Sequence, residues 1–241
     1  MGAENGEWIM HGLEWDNPLR IRSAEELINY INQVGFLPLF KNEIEGFSVE
    51  EHTWADGWWS GDPEQDPWEW RAIIAGSGRV AYGKFFDKKA GFISLEWLPY
   101  FANYRRDGYD FDARYDDELA SIRSKKIMDQ FLTHEELFSY ELKELAGFGK
   151  GGEKNFPGIV TDLQMQTYLT VKDFRCKKNK KGQDYGWAIA VYCMPEQIWG
   201  YEAVSAAYKE EPEISKQRIF DRIIEEFPWA TEKQIRKLCK I

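Results

Sequence analysis

The sequence predicts an α+β fold, and three features between Ser121 and Trp199 predict it. First, Ile122–Leu132 reads as a helix that sets Ile122, Ile127 and Phe131 near one face. Second, Phe138–Gly147 reads as a short helix with a Ser start and a Gly stop. A glycine-rich turn (Gly149, Gly151, Gly152) then leads to a third helix, opening near Asn155-Phe156-Pro157 and running to about Thr167. Third, the strand-like segments Tyr168–Cys176 and Tyr185–Tyr192 flank the turn Asn179-Lys180-Lys181-Gly182, with Leu169 and Val171 matched by Trp187, Ile189 and Val191. Three helices and a hairpin are the plan of a winged helix-turn-helix, which lays its third helix in a DNA groove and its hairpin on the backbone.

The remaining elements follow in chain order. Residues 1–22 read as a loose leader carrying Trp8 and Trp15. Ser23-Ala24-Glu25-Glu26 has the form of a capping box, and the helix it opens carries Leu27, Ile28, Ile31 and Val34 before stopping at Gly35. A loop rich in Trp, Gly and acid leads to Asp66-Pro67, the cap and first turn of a helix that carries Trp68, Trp70 and Ile73 to Gly76. Val80–Phe86 and Phe92–Ser94 form a hairpin turned by Asp87–Gly91. Helix, short helix, helix and hairpin would make this aromatic-rich lobe a candidate degenerate winged helix. Leu95–Arg106 reads as a connecting helix interrupted by Pro99, and Arg105–Asp117 as a charged linker. Beyond Trp199, Ile219, Ile223, Ile224 and Phe227 mark an amphipathic helix broken at Pro228, and Thr231 with Gln234 opens a last helix ending at Ile241. The domain reading is therefore 1–117 for the N-terminal lobe, 118–200 for the winged-helix module and 201–241 for C-terminal helices.

Composition bounds the function. At 241 residues, 43% hydrophobic and 30% charged, the chain has the makeup of an ordinary globular protein with a sizeable core. No run approaches a membrane span, and residues 1–7 lack the basic and apolar regions of a signal peptide. Gly6 stands where a myristoylation motif wants Ser or Thr. The cysteines Cys176, Cys193 and Cys239 are odd in number and lack metal spacing, which predicts reduced thiols in the cytoplasm. His11, His52 and His134 match no zinc or dyad spacing and read as surface or loop residues, and neither metal nor cofactor is expected.

A net charge of -10 argues against broad coating of nucleic acid. Its distribution is uneven. Lys172, Arg175, Lys177, Lys178, Lys180 and Lys181 face the single acid Asp173 within ten residues, the charge a localised phosphate contact needs. The same lysines would also keep an exposed hairpin from pairing at its edge. On the third helix, Gln164, Gln166 and Thr167 could read base edges, although Asp162 beside them would repel phosphate. The other cluster is Trp54, Trp58, Trp59, Trp68 and Trp70 among acids, either a small core or a stacking pocket. In the second case Asp56, Asp66 or Glu96 are the candidates to activate water on an extruded base. Paired carboxylates beside stacked indoles would equally suit a sugar ring.

The segment Leu137–Gly147, the third helix with its two-strand wing, and the closing Ala190–Trp199 resemble the middle winged-helix module of the AlkZ-type DNA glycosylases. Those enzymes release alkylated bases and crosslinks. Lys84-Phe85-Phe86 and Phe92–Pro99 look like a remote echo of their strand-to-helix segment, so the resemblance covers about residues 79–200. The chain as a whole looks like the short AlkZ-related proteins. The resemblance implies duplex DNA, damaged or intact, as partner. Two departures bear on activity. The enzymes' Gln-apolar-Gln or Gln-apolar-Asp motif lies in their first winged helix, whereas Gln164-Met165-Gln166 falls on the third helix of the second. Their His has no counterpart near Glu96 and Trp97. A DNA-binding relative without the catalytic motif is the first expectation; a glycosylase using the Trp-acid pocket, or a protein-interaction module, are the alternatives.

Overall fold

The computed structural model describes residues 2–4 and 7–241, with side chains from residue 9 onward. Met1, Gly6 and the Trp8 side chain, part of the expected leader, lie outside the described residues. The architecture is mixed α+β with small antiparallel sheets, in two compact units: Met1–Leu98 with Lys216–Ile241, and Pro99–Ser215. No helix among the described residues is long and apolar enough to cross a membrane.

The described part of the leader contains paired structure. Strands β1 (Gly2–Glu4) and β2 (Glu7–Ile9) pair antiparallel, and further on the Leu13 N–H donates to the Thr53 carbonyl at 2.7 Å. That approach requires Gly12, where a Cβ would stand 2.4 Å from the same carbonyl oxygen. Helix α1 (Ala24–Val34) starts as its sequence predicts, with Ser23 Oγ accepting from the Glu26 N–H at 3.1 Å, and it stops at Gly35. Strand β3 (Phe36–Pro38) follows, then a short 3₁₀ segment, Glu50–His52. Helix α2 (Pro67–Ser77) leads to the hairpin of β4 (Val80–Phe86) and β5 (Lys89–Ser94), and the sheet order is β3-β5-β4. Leu27, Ile31, Trp70, Ile74, Phe36 and Phe92 are buried in this unit.

Helix α3 (Leu98–Arg106) begins with Pro99 in its first turn, so the proline starts the helix instead of interrupting it. The expected linker contains a helix of its own, α4 (Phe111–Asp116). Helix α5 (Ile122–Met128) tightens to a 3₁₀ turn at Asp129–Leu132; Ile122 is exposed, while Ile127 and Phe131 lie in the core. Strand β6 (Leu137–Phe138) takes the place of the expected helix start, and helix α6 (Ser139–Leu145) follows. The cap there is Glu141, whose carboxylate accepts the Phe138 N–H at 3.2 Å, not Ser139. Helix α7 (Phe156–Met165) precedes β7 (Thr170–Lys178) and β8 (Asp184–Cys193), in a sheet of order β6-β8-β7. The helices and β6 share a core of Ile127, Phe131, Leu137, Leu142, Phe156, Ile159 and Leu163.

Helices α8 (Pro195–Trp199) and α9 (Tyr201–Val204) close the second unit. Helix α10 (Pro212–Glu226) buries Ile219 and Ile223, and Phe227 just beyond it packs on Phe47 with ring centroids 4.8 Å apart. Helix α11 (Glu232–Cys239) carries the predicted box: the Thr231 N–H donates to Gln234 Oε1 at 2.8 Å, and the Gln234 N–H to Thr231 Oγ1 at 3.4 Å.

Each unit thus runs helix, short strand, helical turn, helix, hairpin, and in each the short strand pairs with the second hairpin strand. The register of the second hairpin departs from simple alternation. Val171 pairs with Tyr192 but Asp173 with Val191, and Arg175 with Ile189 but Lys177 with Tyr185. The register overturns the expected match of Leu169 and Val171 with Trp187: Leu169 precedes the strand, Val171 lies opposite Tyr192, and Trp187 is exposed.

Candidate nucleic-acid interface

The β7–β8 turn is built to hold its lysines outward. Asn179 Oδ1 accepts the N–H groups of Lys181 at 2.8 Å and Gln183 at 3.1 Å, and Gly182 supplies the positive φ of +78°. Lys178, Lys180 and Lys181 are exposed, and among the described residues they form no ion pair. Lys177 lies over the Tyr140 ring, 4.1 Å from its centroid.

The other two predicted cations are already committed. Lys172 pairs with Glu136 at 2.7 Å, and Arg175 pairs with Glu136 and, at 3.0 Å, with Asp173. Burial works to raise the Glu136 pKa, yet the hydrogen bonds from Lys172 and Arg175 outweigh it and hold the carboxyl below its usual range. Four of the six basic residues therefore remain for an outside anion.

Beside those lysines runs a groove of about 690 Å³, lined by Phe138, Tyr140, Phe174, Arg175, Lys177 and Lys178 among others. The Phe138 and Tyr140 rings stack with centroids 5.4 Å apart, and the Arg175 guanidinium sits 5.6 Å from the Phe138 ring. Cations of β7 and flat rings from β6, β7 and the start of α6 thus meet around this groove. Sequence reasoning missed Phe138, Tyr140 and Phe174. Phe138 and Tyr140 join Lys177 only because β6 pairs with β8, across more than thirty residues of chain.

The third helix offers less than its sequence promises. Gln164 is 1% exposed and donates to the Val160 carbonyl at 3.2 Å, and Thr167 is 0% exposed. Neither can reach a groove; of the three residues only Gln166 keeps part of its surface. Thr167 is held instead by Arg106, whose Nη2 donates to the Thr167 carbonyl at 2.6 Å. Arg106, read from sequence as the end of a helix at a linker, is buried against Glu196, Tyr208 and the Tyr168 ring. Burial alone would lower its pKa, but Glu196 and Tyr208 carry it above the ordinary value.

The Trp-acid segment belongs to a core. Trp58 and Trp70 are buried, with their indole N–H groups donating to Thr53 Oγ1 at 3.0 Å and the Pro63 carbonyl at 3.1 Å. Trp54 meets Trp15 edge to face at 4.8 Å, and the Arg71 guanidinium covers Trp68 at 3.6 Å. Trp59 alone of the five is exposed. Asp66 is 0% exposed and accepts three backbone N–H groups, from Trp59 at 3.0 Å, Trp68 at 2.8 Å and Gly61 at 2.9 Å. It is out of reach of a substrate, while Asp56 and Glu96 stand exposed. Asp66→Ala removes a helix cap and two loop bonds together and is expected to cost about 2–4 kcal/mol of stability, read by urea unfolding. A loss under about 0.5 kcal/mol, the ordinary size for a surface substitution, would contradict this role.

His52 also differs from expectation. Its Nε2–H donates to the Gly46 carbonyl at 2.7 Å, with Tyr30 Oη at 3.0 Å, and burial lowers its pKa. Cys193 and Cys239 are buried, and burial pushes the Cys193 thiol up to about 12. Among the described residues no group of three or more His, Cys, Asp or Glu side chains is arranged for a metal ion.

Geometry defines the class: an α+β protein of two units with one strand order, the second presenting a basic, aromatic hairpin. A family model described as AlkZ related matches residues 21–240, and the chain belongs to the AlkZ-related family. That match takes in both units, more than residues 79–200 on which the sequence resemblance rests. No curated protein and no solved structure matches the chain.

Proposed function

We propose that this AlkZ-related protein binds duplex DNA through the β7–β8 hairpin, without glycosylase activity. The observation that carries the reading is the set of Lys178, Lys180 and Lys181, exposed and free of carboxylate partners on an otherwise acidic chain, with Lys177 beside them. The order helix, strand, helix, helix, hairpin, with the first strand against the last, supports reading the second unit as a winged helix. We read the first unit as a second, distorted copy. The hairpin, rather than the helix α7, supplies the phosphate contacts, since α7 buries Gln164 and brings Asp162 where a cation would be wanted. The burial of Asp66 and of Trp58 and Trp70 speaks against the Trp-acid pocket as a base-excision site. The free thiols fit a reduced cytoplasm.

The test is fluorescence anisotropy of a labelled duplex at low and physiological salt. Four phosphate contacts give a log–log salt slope of roughly -3 to -4, at about -0.9 each, with Kd at or below about 10⁻⁴–10⁻⁶ M at physiological salt. Absence of binding even at low salt would overturn the reading and turn the hairpin toward a protein partner.

A further inference from the structure

Trp187, on β8, is 92% exposed. It stands in a bulge. Between the Arg175–Ile189 and Lys177–Tyr185 pairs, β8 spends three residues against the single Cys176 of β7. Gly186, at φ +75°, opens the bulge, and the Cys176 thiol donates to its carbonyl at 3.6 Å. The stretch Asp184–Ala188 is exposed on both faces of the strand, so the Trp187 ring stands in water. Tyr185, opposite Lys177, is exposed as well, and it lies close enough to Tyr140 to contribute to raising that phenol's pKa, after burial and Glu141. Two large flat rings thus stand in water, two residues apart, on the strand that pairs with the lysine-bearing β7.

An exposed indole is covered in use either by apolar protein surface or by another flat ring. Charge decides between them. The rings share their hairpin with Lys177, opposite Tyr185, with Lys178, opposite the acid Asp184, and with Lys180 and Lys181 in the turn, on a chain whose net charge is -10. The complementary occupant is an anionic polymer with flat faces. In a fully paired duplex each base face is covered by its neighbours in the stack, so only unpaired bases can offer one. We propose that the hairpin captures an unpaired nucleobase of DNA by stacking it on Trp187, beside Tyr185, while the lysines hold the flanking phosphates. This rests on the DNA-binding reading and names the form of DNA preferred: single-stranded or locally unpaired rather than fully paired.

The experiment compares one labelled strand with its fully paired duplex by anisotropy, using the full chain and the Trp187→Ala, Trp187→Phe and Tyr185→Ala variants. Exposure of Trp187 lets the Ala variant keep the fold, checked by its thermal midpoint. Wild type is expected to favour the single strand. Trp187→Ala is expected to weaken the single strand about tenfold and the duplex less than about twofold, and Trp187→Phe to recover most of the loss. Tyr185→Ala gives an independent reading of the same preference, in the same direction. Equal loss on both DNAs, or no loss on either, overturns the stacking proposal and leaves duplex binding standing. Absence of binding to both DNAs by wild type removes the DNA-binding reading itself.

Discussion

Replacing Lys177, Lys178, Lys180 and Lys181 together by Glu is expected to abolish duplex binding at physiological salt and to flatten its salt dependence. Lys178, Lys180 and Lys181 have no carboxylate partner among the described residues, and Lys177 touches only the face of Tyr140. Their loss therefore removes phosphate contacts without freeing an acid elsewhere. At about -0.9 of slope per contact, four losses take away nearly all of the electrostatic term. The reversal adds repulsion to that loss. Exposure of three of the four side chains also means that folding is little affected, since surface changes usually stay within about 0.5 kcal/mol. The matched control is Lys172→Ala, whose ammonium is already held by Glu136 at 2.7 Å. It is expected to change the slope by much less than any one of the four. An unchanged duplex affinity in the quadruple variant would move DNA away from the hairpin.

That control shows where sequence and structure part company. Helix starts were legible because a cap acts across three residues: Ser23 with Glu26, Asp66 with Trp68, Thr231 with Gln234. The hairpin turn at Asn179–Gly182 was legible for the same reason. The two-residue strand β6 and the three-residue β3 were not, because so short a run has no measurable alternation and is defined only by its partner. Register is a tertiary property too. Two bulges shifted the pairing of β7 with β8, and the pairing of β6 with β8 brought Phe138 and Tyr140 to Lys177. The partition of the basic residues into committed and free depended on Glu136, which composition counts as one acid among many. Gln164 and Thr167 looked polar enough for a surface because sequence shows side-chain chemistry and not the neighbour that satisfies it.

The second large effect belongs to Arg106→Met. Arg106 is 1% exposed, and every arm of its guanidinium is used. Nη1 donates to Glu196 and, at 3.2 Å, to the Tyr208 hydroxyl; Nη2 donates to the Thr167 carbonyl at 2.6 Å; Nε reaches Thr167 Oγ1 at 3.3 Å. Thr167 itself has φ +63°, a left-handed conformation disfavoured for a β-branched residue, and it stands between α7 and the strand that leads to the hairpin. Met fills similar volume but leaves the Glu196 carboxylate and the Thr167 carbonyl without their donor. The expected loss is about 3–5 kcal/mol, the size found when one member of a buried pair is removed. Arg106→Lys keeps the charge, yet one ammonium cannot span Glu196, Tyr208 and Thr167 at once, so it is expected to fall between wild type and Met. The double variant Arg106→Met, Glu196→Leu removes both charges, and it is expected to regain much of the stability that Met alone loses. Urea unfolding of all four proteins checks the order. A Met variant within about 1 kcal/mol of wild type, or a double variant as weak as the single, would show that this cluster does not hold the second unit together.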